Sequence, residues 1–189
     1  MKTWSILSAV TVLLMSAACA TNPKPRHTQV GTVDAARFSP LMEKATALEE
    51  TWRGGSPAAT VRDLAERTRL EAGSLRGTAQ TEAERLFITA VEYGATAFSL
   101  GTLIQQAADD ETARDNAREA ERRYAVDALS WGDPEKSGLV FEHGSGYLRA
   151  ARNFLAGKIG EGLGLEQTLS RKLDARRIAQ GKVNGPTRQ

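Results

Sequence analysis

The sequence predicts an all-α fold, built as an antiparallel helix-hairpin stack or bundle. Three observations predict it. Apolar residues recur three and four positions apart through most of the chain. Valine and isoleucine almost never alternate with polar residues, so no strand of period two stands out. Alanine and leucine carry the apolar content, while aromatics make up only 6% of residues. That composition suits helices at short range, because alanine admits a neighbouring backbone and leucine fills the remaining space.

The elements follow in order. Pro40 opens a first helix that runs to about Trp52, with Leu41, Ala45, Leu48 and Trp52 on one stripe. Gly54-Gly55 ends it, since glycine reaches the left-handed cap conformation cheaply. Ser56-Pro57 starts the second helix: the serine hydroxyl offers a cap and the proline lacks an amide that would have no partner. Val61, Leu64, Ala65 and Thr68 form its stripe, and Gly73 and Gly77 bracket its exit. The third helix opens on Thr81-Glu82-Ala83-Glu84, which fits the capping box, and continues to about Gln106. Its apolar face is broad, so it should pack on more than one side. Gly94 and Gly101 mark close crossings, because each costs about 1 kcal/mol against alanine inside a helix.

Asp109-Asp110-Glu111 caps a fourth helix with the stripe Ala113, Ala117, Ala120, Tyr124 and Ala128, stopped by Gly132-Asp133-Pro134. Residues 137 to 146 read as irregular or as one short turn. Tyr147 to Ile159 reads as helix, and the run Gly157, Gly160, Gly162, Gly164 should break it. Leu165, Leu169, Leu173 and Ile178 then suggest a last amphipathic helix.

The ends of the chain have a different character. Lys2 precedes an apolar stretch from Ile6 to Met15, and the small residues Ser16-Ala17-Ala18 follow before Cys19. A basic start, an apolar middle and a small-residue exit make a secretory signal. The stretch is shorter than the about 20 apolar residues that a spanning helix needs. Ala18-Cys19-Ala20 would suit an ordinary signal peptidase. Met15 to Cys19 also resembles the bacterial lipobox, with Ser16 where leucine is preferred. Cys19 is the single cysteine, so no internal disulfide can form, and acylation would consume an otherwise reactive exported thiol. The favoured division is therefore a lipoprotein signal at 1–18, a lipidated Cys19 with a tether over 19–39, a helical domain at 40–180 and a frayed tail at 181–189. Ala20 after the cysteine, rather than aspartate, resembles the signal for outer-membrane sorting, with the domain facing the periplasm.

Charge is unevenly spread. Residues 41–146 hold 12 basic and 19 acidic side chains, whereas residues 147–189 hold 9 and 3. The basic end would suit anionic head groups or an acidic partner, or simply a solvated helix face. Export removes nucleic acid as a partner.

Signals for chemistry are sparse. The two histidines are His27, in the tether, and His143. No His, Cys, Asp or Glu cluster has metal-ligand spacing, so no metal or cofactor is expected. His143-Gly144-Ser145-Gly146 is not a nucleophile elbow, and no strand leads into it, so it reads as a turn. A phosphate loop around Gly157-Lys158 fails twice, with Arg152 where glycine is needed and Ile159 where serine or threonine is needed. The acidic pairs Glu49-Glu50 and Asp109-Asp110 lie near helix ends and read as solvated. No catalytic residue is assigned and no enzyme is expected.

One stretch carries a resemblance. Val91-Glu92-Tyr93-Gly94-Ala95-Thr96-Ala97-Phe98 ends a helix, a polar loop follows, and a second helix closes on Tyr124-Ala125-Val126-Asp127-Ala128-Leu129. This resembles the degenerate tetratricopeptide-like helix pairs of the TatT-like lipoproteins, the T component of TRAP transport systems, over about a quarter of the chain. The resemblance implies a scaffold that meets a periplasmic solute-binding protein, and it allows an oligomer. Phe87, Tyr93, Phe98 and Tyr124 would then face a groove, unless they are core. Two other readings stand beside it. One is a scaffold for envelope assembly; the other is a carrier of a small apolar ligand in a cavity lined by Phe87, Phe98 and Leu103.

Overall fold

The structure is a computed structural model that describes residues 30–106, 111–112, 114–115 and 137–179, the last seven of them as backbone. Its elements are α1 (Ala35–Arg53), α2 (Ala58–Leu75), a 3₁₀ turn (Arg76–Thr78), α3 (Glu82–Gln106), α4 (Ser137–Leu155) and α5 (Ile159–Ala179). Among the described residues there is no strand, so the all-α expectation holds. The helix expected from Ala113 to Ala128 lies almost wholly outside the described residues, as do His27, Cys19 and Tyr124.

Residue pairs give the directions. Lys44 meets Glu71, Glu66 meets Ser99 and Arg62 meets Gln106, so α2 runs antiparallel to α1 and α3. Gly101 faces Phe141 and Gly94 faces Leu148, so α4 runs antiparallel to α3. Glu49 pairs with Arg152 while Trp52 stacks on Phe141, which brings α4 back against α1. Four helices thus close into an up-and-down bundle, and α5 packs on the outside of α4. Phe38, Leu41, Leu48, Phe87, Phe98, Leu148 and Phe154 fill the interior, each at most 1% exposed.

The first helix starts five residues before Pro40. Asp34 is its N-cap and accepts from the Arg37 amide at 3.3 Å. Pro40 sits inside the helix on an exposed face, where a lost amide bond is cheaply replaced by water. The segment before it is docked rather than a free tether. The Ala83 amide donates to the Val30 carbonyl at 2.8 Å, and the Thr81 hydroxyl donates to the Thr32 carbonyl at 3.0 Å. Val33 and Phe38 are buried. Gly31 allows this approach: its φ is +69°, and a Cβ there would lie 2.9 Å from the Thr81 side chain.

Ser56 provides no cap for α2; Pro57 holds that position without a side-chain bond. The capping box of α3 forms as expected. The Glu84 amide donates to the Thr81 hydroxyl at 3.1 Å, and the Glu84 carboxylate accepts from Thr81 and Gln80. Residues 94–102 are all buried, so this stretch of α3 is packed on every side. It is also the one described helix long and apolar enough to cross a membrane, but 78% of that window is inside the fold, as in the core helix of a bundle.

The largest departure is at residues 137–146, which are helical rather than irregular and continue into α4 without a break. Glycines at 138, 144 and 146 suggest a loop by propensity. Packing overrides it, because Gly144 lets Phe98 and the Gly94 backbone approach to about 3 Å of where its Cβ would stand, and Gly146 does the same for Leu169. Only Gly157, with φ of +74°, breaks the chain here. It closes α4 with bonds from Gly157 to the Phe154 carbonyl and from Lys158 to the Asn153 carbonyl. Gly160, Gly162 and Gly164 continue within α5, and Gly162 makes room for the Phe154 ring.

Candidate functional site

Of the four residues of the expected groove, Tyr124 lies outside the described residues. Phe87 and Phe98 are fully buried, and Phe98 packs edge-on against Trp52 at 5.4 Å. Their apolar spacing on α3 serves the core. Tyr93 is 43% exposed and leans edge-on against Tyr147 at 5.5 Å, on the opposite side of α3 from the buried rings. No described cavity is lined by Phe87, Phe98 and Leu103 together.

A cleft does form elsewhere, where the end of α1 meets α4 and α5. Its volume is about 490 Å³. Trp52, Leu139, Leu165 and Leu169 supply apolar walls. Trp52 is held by stacking on Phe141 at 5.1 Å and 24°, so one side of its indole is fixed while the residue stays partly open. Arg53, Arg149 and Lys172 stand exposed around the cleft, and among the described residues Glu142 is the one carboxylate in its lining. His143, Ser145 and Thr168 complete the polar lining. A smaller depression of about 320 Å³ lies near Met42, Glu43, Glu50 and Leu155, open and without a cation.

Spacing on α4 explains the cleft's make-up. Residues 142, 145, 146 and 149 recur at three and four positions and so share one face. Residues 141, 144 and 148 share the face turned to α3. The wall opposite comes from α5, whose residues 165, 168, 169 and 172 have the same spacing.

Beneath the cleft lies an ion cluster. Glu49 is 4% exposed and binds Arg152 and Arg53, each at 2.6 Å. Arg152 also reaches the Thr46 hydroxyl at 3.4 Å. Burial pushes the Glu49 carboxyl up. The hydrogen bond from Arg152, with the charges of Arg152 and Arg53, outweighs that and holds it below the usual carboxylate value. Glu49 is therefore a clamp between α1 and α4, not the solvated acid that its place near a helix end suggested. Glu166 on α5 goes the other way, since burial pushes its carboxyl up.

His143 lies within a helix and not in a turn. It is 5% exposed and meets the Tyr147 ring edge-on at 4.9 Å. Ser145 lies two positions along the same helix, and both residues line the cleft. Among the described residues, no three His, Cys, Asp or Glu side chains are grouped to hold a metal ion.

Sequence reasoning named Leu165 and Leu169 as an apolar stripe and noted the basic C-terminal part, but it did not join them to Trp52. The signal was present as a pair of facing stripes, each with a cation one turn beyond it. Comparison with protein-family models, curated proteins and solved structures finds no match for this chain.

Proposed function

We propose that this chain is a lipid-anchored, periplasm-facing helical binding or adaptor protein, held through Cys19 to the outer membrane and assisting a solute transport system of the TatT-like kind. The observation that carries the reading is the run from Lys2 to Cys19, a charged start and apolar stretch leading through small residues to the chain's single cysteine. Acyl chains give about 0.8 kcal/mol per buried methylene, so several on one cysteine would anchor the protein stably. A second reading, a carrier of a small ligand, is favoured by the cleft beside Trp52.

The anchor is tested by the intact mass of the protein purified from its native host. Cleavage before Cys19 with added fatty acyl mass is expected, and Cys19→Ser should release the protein from the membrane fraction. A species that keeps residues 1–18, or that lacks acyl mass, overturns the anchor. The partner is tested by crosslinking in intact cells. Recovery of a periplasmic solute-binding protein supports the transport reading, whereas recovery of envelope assembly proteins replaces it with an assembly scaffold.

A further inference from the structure

We propose that the cleft between α1, α4 and α5 binds an amphipathic organic carboxylate, its apolar body against Trp52, Leu165 and Leu169 and its carboxylate against Arg149 and Lys172. The proposal deepens the carrier reading and is independent of whether Cys19 is acylated.

Size and lining set the class. A volume of about 490 Å³ falls within the about 300–1,000 Å³ typical of small-molecule sites. It is too small for a folded partner's surface and large enough for an aryl or medium-chain alkyl group. Its walls mix leucine with one face of a fixed indole, so an apolar body is favoured over a sugar or a peptide backbone.

Charge sets the head group. Among the described residues, three cations and one carboxylate ring the cleft. Arg53 is engaged by Glu49, which leaves Arg149 and Lys172 as the charges that a ligand would meet. Among the described residues neither Arg149 nor Lys172 has a carboxylate within ion-pair distance. The two come from different helices, α4 and α5, and approach the cleft from opposite walls. A carboxylate between them would accept from a guanidinium and an ammonium at once. Glu142 would repel a second negative charge placed on its side, which favours a monoanion over a dicarboxylate. An organic cation is excluded by the same pair of basic groups.

The test uses the full chain carrying Cys19→Ser, with octanoate, octan-1-ol and octylammonium as probes in calorimetric titrations. The three share one alkyl chain and differ only in charge. Octanoate is expected to bind saturably, and both other probes at least about ten-fold more weakly. Arg149→Glu with Lys172→Glu should weaken octanoate by at least about ten-fold and leave octan-1-ol unchanged. Both residues are exposed, so helicity and melting temperature should be retained. A charge-matched control, Arg67→Glu with Arg85→Glu on other helices, should leave octanoate affinity unaltered. The proposal is overturned by equal affinity for octanoate and octan-1-ol, by an equal loss in the control variant, or by no saturable octanoate binding up to about 5 mM. None of those outcomes alters the mass of the acylated protein, so the anchor stands or falls separately.

Discussion

Helix α4 has two faces, and they are held by opposite means. The face toward α3 is dry. Gly94, Gly101 and Gly144 remove three side chains, and Leu148, Phe141 and Phe98 fill the space that this opens. No polar side chain is needed there, so nothing must find a partner. The face toward α1 and α5 is polar. It has Glu49 between two arginines, His143 and Ser145 on the helix, and a cleft that remains open. The dry face fixes the distance between helices to within a few tenths of an ångström. The polar face fixes the orientation through charge and tolerates unfilled volume. A bundle can thus hold a cleft on one side of a helix because the other side is packed without one.

The strongest way to break this comparison is to add atoms to the dry face. A Cβ at Gly94 would stand 2.5 Å from Leu148 Cδ2 and 3.2 Å from the Gly144 carbonyl, so one neighbour is backbone and cannot rotate away. Gly94→Val should destabilise the protein by about 3 kcal/mol, the upper part of the range for overpacking. Denaturant unfolding measures it. Leu148→Ala alone should cost about 2–5 kcal/mol. The double variant should cost less than the two summed, by about 1 kcal/mol or more, because the smaller residue vacates the contested space. The same kind of change on open helix surface should have the opposite sign. Gly164 has nothing within 4 Å, so Gly164→Ala should stabilise by about 0.5–1 kcal/mol. Equal effects at positions 94 and 164 would mean that the seam is not close-packed.

The polar face should respond to charge and to pH. Glu49→Gln keeps the shape and removes the negative charge, leaving Arg152 and Arg53 without their shared partner. Both arginines are partly exposed, which limits the loss to about 1–3 kcal/mol. The sign with pH follows from the direction of the shift. The folded carboxyl lies below its ordinary value of 4.5, so its contribution is present above that pH and is lost as acid brings it through the lower folded value. Glu166, raised by burial, contributes in the reverse sense, with stability present below 4.5 and lost as pH rises through its folded value. Wild-type stability measured from pH 7 to 3 should therefore fall below about 4.5 more steeply than that of Glu49→Gln. Parallel curves would show that the cluster is not the acid-sensitive contact.

These two faces were unequally legible in the sequence. The glycines of the dry face stood out where they interrupt an obvious helix, at 94 and 101. They misled where they cluster, at 144 and 146, because dense glycine lowers helix propensity and only the partner helix shows why it is tolerated. Pro40 misplaced the first helix for a related reason: proline reads as a helix start, and the cap that does the work, Asp34, lies a turn and a half earlier. Capping at Thr81 was legible in full because all of its parts lie within four residues. The polar face was not legible. Glu49 and Arg152 are separated by 103 positions, and nothing local distinguishes a buried Glu49 from the exposed Glu50 beside it. Phe87 and Phe98 were ambiguous in the same way, since aromatic side chains at helical spacing read alike whether they face a core or a ligand.

The smallest expected effects lie away from both faces and calibrate them. Thr81 receives the Glu84 amide at 3.1 Å and donates to the Thr32 carbonyl at 3.0 Å, so it both caps α3 and pins the incoming segment. Thr81→Ala should cost about 1 kcal/mol. Serine restores the hydroxyl and should recover most of that loss. Because Thr81 also holds the Val30–Val33 strand of chain against the bundle, hydrogen exchange at the Ala83 amide, which donates to Val30, should accelerate more than exchange in the middle of α3. Uniform acceleration along α3 would mean that the cap supports the whole helix and that the docked segment contributes nothing of its own. A local change would make residues 30–33 the first part of the fold to open.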